Sequence, residues 1–399
     1  MESSPAFDTV IVGAGIAGLY AAYTILKRSP TARVVVLEKS PHIGGRVGVS
    51  RFAGIDVLTG AGVGRKGRDI VLETLLRELG IEYATHKVES SYASYIDMSP
   101  DTIDRSLRIL RKAFLDDPKT SRKKTFRRFA IDVLGSAEYA RFVTATGYTD
   151  FDNMDVHDAL YDYHFQYTQP GWQAMYIPWK QLIRALVEKI GRRRIRTRVN
   201  VTSIVPGRVR SAEGRVYLAN TIVCATTAES LRRFFPRNML YRQIHGQPFM
   251  RTYVKFSKDT AALVQSRITK TLIVGEPLAK IIPIRPDKGI YMLAYADNDM
   301  ALALRKRGDD TDYYAREAEK AVGLPTQSLT ISKIQTHFWD TGTHYYDPLP
   351  CQYADRKAFI REAQRPSQGI IVVGEAVSVQ QGWVEGALES VHTMNLSLV

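Results

Sequence analysis

Apolar residues near the N-terminus fall into two short runs with a helical pattern between them. Residues 8–12 are apolar after Asp8 and Thr9, residues 33–37 are apolar after Arg33, and residues 16–28 place apolar side chains at helical spacing. Continuous apolar runs are typical of strands that are buried on both faces of a parallel sheet. The order strand, helix, strand therefore predicts a βαβ unit at the start of an α/β fold.

The rest of the chain carries further strand and helix patterns. An apolar helical face over residues 182–190 follows Pro178 and predicts a helix that begins after this proline. Residues 369–376 predict a last buried strand, and Val384 begins a C-terminal helix. Three buried or alternating segments predict the strands of a second sheet: 250–259, 279–286 and 289–298.

Composition adds a strongly basic balance to this pattern. The chain has 399 residues, 45% of them hydrophobic, which is enough for two domains with a sizeable core. Its 55 Lys and Arg against 41 Asp and Glu give a net charge of +14, with the excess concentrated in residues 105–129 and 191–198. Such segments attract polyanions or form a solvated surface. No nucleic-acid motif accompanies them, which favours the solvated surface.

Cysteine content and hydropathy indicate a reducing, aqueous environment. Nothing in the sequence pairs the two cysteines, Cys224 and Cys351. No apolar run reaches the roughly 18 residues of a membrane span, and the N-terminus has no signal-peptide pattern. The chain also ends shortly after the C-terminal helix. We therefore expect a soluble intracellular protein without a membrane anchor.

The turn between the first strand and the first helix is rich in glycine. Gly13, Gly15 and Gly18 form G-x-G-x-x-G, and Glu38 follows Gly18 by 20 residues at the end of the second strand. The first glycine permits a tight turn, the second lets a pyrophosphate approach the backbone, and the third lets helix and strand pack closely. A carboxylate at this distance can accept a hydrogen bond from a ribose hydroxyl. The unit therefore predicts a dinucleotide site.

A second glycine pair indicates which dinucleotide is bound. Gly44 and Gly45 are followed by Arg46, within eight residues of Glu38. Two glycines allow backbone to approach a cofactor closely, and an arginine can neutralise phosphate. This cluster resembles the FAD fingerprint of flavoproteins. The sequence has no second G-x-G-x-x-G for a nicotinamide cofactor.

Together with the segment GEAVSVQQGWVEGALESV at 374–391, these motifs resemble the flavin-containing amine oxidase family, which includes monoamine, polyamine and L-amino-acid oxidases. The resemblance covers nearly the whole chain and is weakest in the middle. It implies an α/β fold in which a Rossmann-like, glutathione-reductase-type FAD domain accompanies a discontinuous α+β substrate domain. The implied FAD domain comprises residues 1–85, 181–245 and 350–399. The implied substrate domain comprises residues 86–180 and 246–349.

The resemblance implies that the C-terminal segment contacts FAD. Gly374 and Glu375 match positions near the ribityl chain and the pyrophosphate. Trp383 matches an aromatic position, and the N–H of Val384 is expected near the flavin C2 carbonyl. The N-terminus of a helix stabilises negative charge there, by roughly 0.3–2 kcal/mol.

Further cofactor contacts follow from the same resemblance. Gly60 and Ala61 match a turn beside the isoalloxazine, and the backbone of Val201 matches an adenine contact. Thr343 and His344 stand near the position of the cysteine through which monoamine oxidases hold flavin covalently. We therefore expect FAD to be bound non-covalently.

The resemblance also suggests residues that face the substrate. Trp383 is one aromatic wall, and the candidates for the other are Trp339, Tyr345 and Tyr346. Arg251 matches the lysine with which the family holds a water against flavin N5, and Lys280 is a second possibility for that role. Arginine cannot shuttle a proton. Its planar fork suits a carboxylate, which makes an amino-acid substrate more plausible.

An acidic, aromatic segment at residues 149–167 stands out from the basic chain. We hypothesise that some of its acids line the approach to the pocket and attract a cationic amine; a capped helix with a solvated acidic face is the alternative. The acids are Asp150, Asp152, Asp155, Asp158 and Asp162.

These features predict an FAD-dependent oxidase that transfers hydride from the amine-bearing carbon of an amine or amino acid to flavin N5. Oxygen is the expected acceptor and hydrogen peroxide the expected product. One alternative is a relative that oxidises an apolar substrate. Another is a flavin-fold protein used structurally, for example in a virus particle, with its basic surface on a polyanion. The oligomeric state is left open.

Overall fold

The computed structural model describes residues 6–99, 101–165 and 171–394. The strands are β1 (Phe7–Val12), β2 (Val34–Leu37), β3 (Val49–Phe52), β4 (Ile55–Leu58), β5 (Gly64–Arg65), β6 (Ala84–Lys87), β7 (Ser90–Tyr92), β8 (Gln173–Tyr176), β9 (Ile195–Arg196), β10 (Val201–Val205), β11 (Arg208–Ser211), β12 (Val216–Cys224), β13 (Ile244–Phe256), β14 (Thr271–Gly275), β15 (Ala279–Arg285), β16 (Ile290–Asp297), β17 (Ile331–Tyr346) and β18 (Ile370–Val372). The α-helices are α1 (Ile16–Arg28), α2 (Ile70–Glu78), α3 (Thr102–Asp116), α4 (Pro118–Ser121), α5 (Phe126–Leu134), α6 (Ser136–Thr146), α7 (Trp179–Ile190), α8 (Ala228–Phe234), α9 (Lys258–Arg267), α10 (Asn298–Arg307), α11 (Thr311–Val322), α12 (Arg356–Ala363) and α13 (Val384–His392).

The first sheet has seven strands, in the order β10-β11-β12-β1-β2-β9, with β18 beside β12. The pairs β12–β1, β1–β2, β2–β9 and β12–β18 are parallel, whereas β10, β11 and the start of β12 form an antiparallel meander. The first half of β12 thus pairs with β11 and its end pairs with β18. The parallel part contains the predicted βαβ unit.

Local sequence explains the βαβ unit. The strands β1 and β2 bury almost every residue, and α1 buries its apolar face against the first sheet through Leu19, Ala22 and Ile25. Lys27 and Arg28 occupy the last turn of α1, where positive charge complements the helix dipole. The prediction of a helix over residues 16–28 is confirmed. The predicted helices after Pro178 and from Val384 are confirmed as well.

The second sheet has six strands, in the order β17-β13-β16-β15-β14-β7. Every neighbouring pair is antiparallel except β14–β7. The three predicted strands are confirmed as β13, β15 and β16, although the last residues of the first segment begin α9 instead. Its strands come almost entirely from the two segments of the predicted substrate domain. The domain boundaries themselves stay a prediction.

Helices α3, α5 and α6 form a separate layer around a phenylalanine-rich core, which includes Phe126, Phe142 and Phe165. After α6, a single π-helical turn covers Asp158–Asp162. The longest helix of the described ranges is α3, with 15 residues. Within these ranges, no helix combines the length and apolar character that crossing a membrane requires.

Candidate active site

Both sheets contribute residues to one large cavity of about 1510 Å³. Its walls include the glycine-rich turn after β1, the loop after β2, the start of β10 and the segment before α13. One face of β13 and β16 completes them. Every residue predicted to contact FAD lines this cavity except Gly18.

The three glycines of the first motif have different surroundings. A side chain at Gly13, where φ is +105°, would collide with the Ala225 carbonyl, and one at Gly18 would collide with the Gly13 carbonyl. A Cβ atom at Gly15 would meet no atom within 4 Å. Gly13 and Gly18 therefore serve the turn and its packing. Gly15 leaves open space at the N-terminus of α1, where a phosphate is favoured.

The loop after β2 packs directly onto this turn. The Gly44 N–H donates a hydrogen bond to the Ala14 carbonyl (2.9 Å), and Gly44 forms an isolated bridge with Gly15. Gly45 has a φ of +59°, and a Cβ atom there would lie 3.1 Å from the Gly15 Cα. The second glycine pair is therefore needed for the close approach of two loops that both line the cavity.

Glu38 ties the same turn to the loop after β2. Its Oε2 accepts a hydrogen bond from the Ala14 N–H (2.8 Å), and its Oε1 accepts one from the Ser40 N–H (2.8 Å). Each carboxylate oxygen keeps a further lone pair. Glu38 can therefore accept a ribose hydroxyl while it also stabilises the loops, a second role that its position in the sequence did not reveal.

Glu375 joins three separate segments of the cavity wall. Its Oε1 accepts hydrogen bonds from the N–H groups of His344 (2.9 Å) and Gly382 (2.7 Å). Its Oε2 accepts them from Arg46 Nη1 (3.0 Å) and His344 Nδ1. Burial alone would raise the pKa of Glu375, but its interactions with His344 and Arg46 hold that pKa well below the usual range. Glu375 is thus an anionic cross-link between β17, the loop after β2 and the segment before α13.

His344 is buried, and its neighbours define its tautomer. The Ala228 N–H donates a hydrogen bond to Nε2 (3.2 Å), so Nε2 is the acceptor and Nδ1 carries the proton donated to Glu375. His344 therefore bridges the N-terminus of α8 and Glu375.

Trp383 precedes α13 and lines the cavity with Val384. The Arg65 guanidinium lies 4.0 Å from the centroid of the Trp383 ring, and Arg65 is fully buried and paired with Asp69. Protein therefore covers one face of the indole. Within the described ranges, the residue before α13 does not cap the first turn of this helix with its side chain, so N–H groups of that turn are available to a ligand.

The second sheet forms the inner wall of the cavity. The register pairs Phe249 with Asp297 and Arg251 with Tyr295, and all four line the cavity. Arg251 is 2% exposed, and its guanidinium carbon lies 5.1 Å from the ring centroid of Tyr295 and 5.5 Å from that of Phe249. The structure therefore places Arg251 on the cavity side of β13.

Lys280 and two carboxyl groups form a titratable cluster in the same wall. Burial lowers the pKa of Lys280 to about 7, against the opposing charges of Asp297 and Asp150. Burial and the charge of Asp297 raise the pKa of Asp150 to about 7, although the Tyr163 hydroxyl donates a hydrogen bond to its Oδ1 (2.7 Å). The Lys280 Nζ lies 3.3 Å from the centroid of the Tyr148 ring. The cavity therefore holds two groups that titrate near neutral pH.

Of the five aspartates in the acidic segment, only Asp150 lines the cavity. Asp155 and Asp158 lie instead beside the buried Arg356, with Asp158 Oδ2 2.6 Å from its Nε. The alternative of a solvated acidic face on a helix does not hold for Asp152, Asp155 and Asp158, which are buried. These acids satisfy structural partners rather than solvent.

The three candidates for the second aromatic wall separate in the structure. Trp339 lines the cavity, whereas Tyr345 and Tyr346 do not. Tyr345 stacks on His245 with ring centroids 5.2 Å apart, and Tyr346 is buried with its hydroxyl bonded to the Ser378 carbonyl (3.0 Å). The tyrosines follow Trp339 by six and seven residues in β17, beyond the stretch of this strand that lines the cavity.

Comparison with known proteins gives the family. A family model described as flavin containing amine oxidoreductase matches residues 16–391. The chain belongs to the flavin-containing amine oxidoreductase family. FAD is accordingly its cofactor, and the family consists of FAD-dependent, amine oxidase-like oxidoreductases.

Solved structures of putrescine oxidase variants redesigned in cofactor binding share the family fold. A double mutant aligns with a TM-score of 0.76 at 15% identity, over 97% of this chain and 98% of that one. A triple mutant aligns with a TM-score of 0.75 at 16% identity, over 97% of each chain. This likeness confirms the mixed α/β fold. Among curated proteins, an FAD-containing monooxygenase, EthA of Mycolicibacterium smegmatis, is 45% identical over 49 residues, which are 12% of this chain and 10% of that protein.

The cavity fits the cofactor of the family. The open space at Gly15 and the uncapped N-terminus of α13 suit phosphate and an anionic flavin ring, respectively. Arg46, which is paired with Glu375, also lines the cavity, and the cavity is large enough for a dinucleotide. The individual contacts, and the absence of a covalent bond to flavin, stay predictions.

Sequence reasoning missed several residues of the inner wall. Asp297, Tyr295 and Tyr148 line the cavity, although no motif includes them. The alternation in β16 was a usable signal, because Ala294 and Ala296 pack in the core while Tyr295 and Asp297 face the cavity. Tyr148 follows the end of α6 and carries no comparable signal.

Proposed function

We propose that this protein oxidises an amine or an amino acid, with dioxygen as electron acceptor. One observation carries the proposal. The residues predicted to hold FAD share a cavity with four charged side chains of its inner wall. These are Asp150, Arg251, Lys280 and Asp297. The fold likeness to putrescine oxidase is compatible with an amine substrate, but at 15% identity it supports the fold alone.

The chemistry would divide between cofactor and protein. Bound FAD supplies the acceptor for a hydride from the carbon that carries the amine. Overall, amine and dioxygen would give imine and hydrogen peroxide. The chain would orient the C–H bond, exclude water and take up the proton that the substrate ammonium must lose. Asp150 and Lys280, whose pKa values are both about 7, are suited to hold that proton.

The charged inner wall argues against the apolar-substrate alternative. A porphyrinogen or carotenoid precursor would have to desolvate Arg251, Lys280 and Asp297 without offering them a partner, which is unfavourable. The structural alternative requires neither a reducible flavin nor an accessible cavity.

Anaerobic titration of the FAD-loaded protein with a panel of amines and amino acids tests the proposal. We expect at least one of them to bleach the visible absorption of the oxidised flavin. Admission of oxygen should restore the colour and release peroxide. If no compound bleaches a flavin that dithionite reduces readily, oxidation of amines is excluded for the panel and the structural alternative gains support.

A further inference from the structure

Arg251 is a buried cation that lacks an anionic partner. Among the described residues, the other buried arginines, Arg65 and Arg356, are paired with Asp69 and Asp158. No carboxylate oxygen of the described chain lies within 4.0 Å of the Arg251 guanidinium. A guanidinium cannot shed its charge by losing a proton, so burial without an anion is costly.

The neighbours of Arg251 satisfy it only in part. Its Nε has no hydrogen-bond partner, and the hydroxyls of Tyr253 and Tyr295 interact with the guanidinium. Tyr253 donates its own proton to the Leu58 carbonyl (2.7 Å), so it offers Arg251 only a neutral acceptor. Aromatic rings and neutral hydroxyls stabilise a cation less than a charged acceptor does. The site therefore lacks a negative charge.

The carboxyl groups of the cavity do not supply that charge. Asp150 and Asp297 interact with Lys280, and they also accept hydrogen bonds from Tyr163 and Thr149. Two carboxyl groups face one lysine, and burial raises the pKa of both acids, so this cluster carries little surplus negative charge. Arg251 is left as the cation of the inner wall whose counter-ion must come from a ligand.

The position of Arg251 relates it to the reacting end of a substrate. Its Nη2 lies 3.1 Å from the point where a Cβ atom of Gly62 would stand, so glycine at this position admits the guanidinium. Gly62 follows Gly60 and Ala61, the turn predicted to lie beside the isoalloxazine. Its carbonyl is held by Trp179 Nε1 (2.9 Å). An anion on Arg251 would therefore lie close to the carbon that is oxidised.

We propose that Arg251 binds a carboxylate on the carbon that carries the amine, so that the substrates are α-amino acids rather than simple amines. This inference rests on the proposed function and narrows its substrate class. The planar guanidinium would bind the carboxylate through charge-assisted hydrogen bonds, and Phe249 and Tyr295 would flank it.

Ligands that bind but cannot be oxidised provide the test. An α-methyl amino acid has no hydrogen on its amine-bearing carbon. Replacement of its carboxylate by a methyl group gives a primary amine of similar shape, whose amine-bearing carbon also has no hydrogen. One such pair is α-methylphenylalanine with α,α-dimethylphenethylamine, and aliphatic and basic pairs complete the panel. Binding to the oxidised, FAD-loaded protein is measured by calorimetry and by the change in flavin absorption.

We expect at least one acid to bind about tenfold or more tightly than its matched amine. Arg251→Gln should abolish this preference, and Arg251→Lys should retain part of it because a single charge remains. Lys180→Met is the control with the same change in charge, since Lys180 also lines the cavity but is exposed, and the preference should survive it. Flavin absorption and thermal unfolding show whether each variant folds and holds FAD.

Three results would overturn the inference. The first is equal binding of acid and amine to the wild-type protein throughout the panel, which needs no variant. The second is a preference that survives Arg251→Gln or, if that variant does not fold, is unchanged in Arg251→Lys. The third is loss of the preference in Lys180→Met alone. A flavin that no substrate bleaches, in a protein that still prefers the acids, would refute the proposed oxidation and leave the carboxylate site standing.

Discussion

Gly15 and Gly18 belong to one motif but differ in what a side chain would meet. Gly15→Val should abolish FAD binding and leave the unfolding free energy of the FAD-free protein nearly unchanged, because its Cβ faces open space. Gly18→Val is the contrasting variant. It should lower the unfolding free energy by about 1–3 kcal/mol or more, because its Cβ would collide with the Gly13 carbonyl. FAD titration and chemical denaturation measure both effects. Wild-type FAD affinity in Gly15→Val would contradict the assigned phosphate position.

Asp150 and Asp158 lie in one acidic segment but serve different ends. Asp150→Asn removes a cavity carboxylate and should weaken binding of a cationic amine by roughly tenfold at low salt. Asp158→Asn removes the nearest partner of the buried Arg356 and should lower the unfolding free energy by about 3–5 kcal/mol. Ligand titration and denaturation distinguish the two. Unchanged amine affinity in Asp150→Asn would show that the acid does not attract the substrate.

At the scale of elements, Glu385 connects α13 to the start of α2. Its carboxylate accepts hydrogen bonds from the N–H groups of Val71 (2.8 Å) and Leu72 (2.9 Å). Asp69, the residue before α2, pairs with Arg65 and does not cap the helix with its own side chain. A residue of α13 thus caps α2 and fixes the helix that lies nearest to the predicted flavin contact.

This contact predicts a pH dependence of stability. Burial raises the pKa of Glu385 from 4.5 to about 7. Between these two values the folded protein binds more protons than the unfolded chain, so the contribution of Glu385 to stability falls as pH rises. Glu385→Gln, which mimics the protonated acid, should gain about 2 kcal/mol relative to wild type between pH 5 and pH 8. Denaturation at both pH values measures this, and an equal difference at pH 5 and pH 8 would disprove it.

At the scale of the whole molecule, part of the excess positive charge lies on exposed arginines of residues 191–198 and the adjoining meander. These exposed residues are Arg192, Arg193, Arg196, Arg198, Arg208, Arg210 and Arg215. Polyanion contact stays a prediction for this surface. Elution from immobilised heparin should require less salt for Arg192→Ser with Arg193→Ser than for wild type, because fewer counter-ions are released.

A control with the same change in net charge makes this test specific. Arg33 and Arg51 are exposed but already paired, with Asp8 at 2.6 Å and Asp56 at 2.7 Å. Arg33→Ser with Arg51→Ser should therefore shift the elution less. If both double variants elute together, net charge alone governs retention and the basic segment is an ordinary solvated surface.

The elements that could be predicted from the sequence are those specified by neighbouring residues. The spacing of Gly13, Gly15 and Gly18, the period of α1 and the position of Glu38 are local features, since turn conformation, helical period and strand length act over a few residues. They were sufficient for the βαβ unit and a dinucleotide site, whereas FAD and the family also required Gly44, Gly45 and the segment at 374–391. The same applies to α13, whose first residue the sequence located.

Only the tertiary structure decided how distant parts of the chain meet around the cavity. Arg46 and Glu375 are 329 residues apart in the chain, yet they form one ion pair. The choice of Trp339 over Tyr345 and Tyr346 depends on which stretch of the long strand β17 lines the cavity. Among the described residues, Arg251 has no anionic partner for the same reason. Whether a charge has a partner depends on which side chains the sheets bring within 4 Å, and that is determined by long-range packing rather than by local pattern.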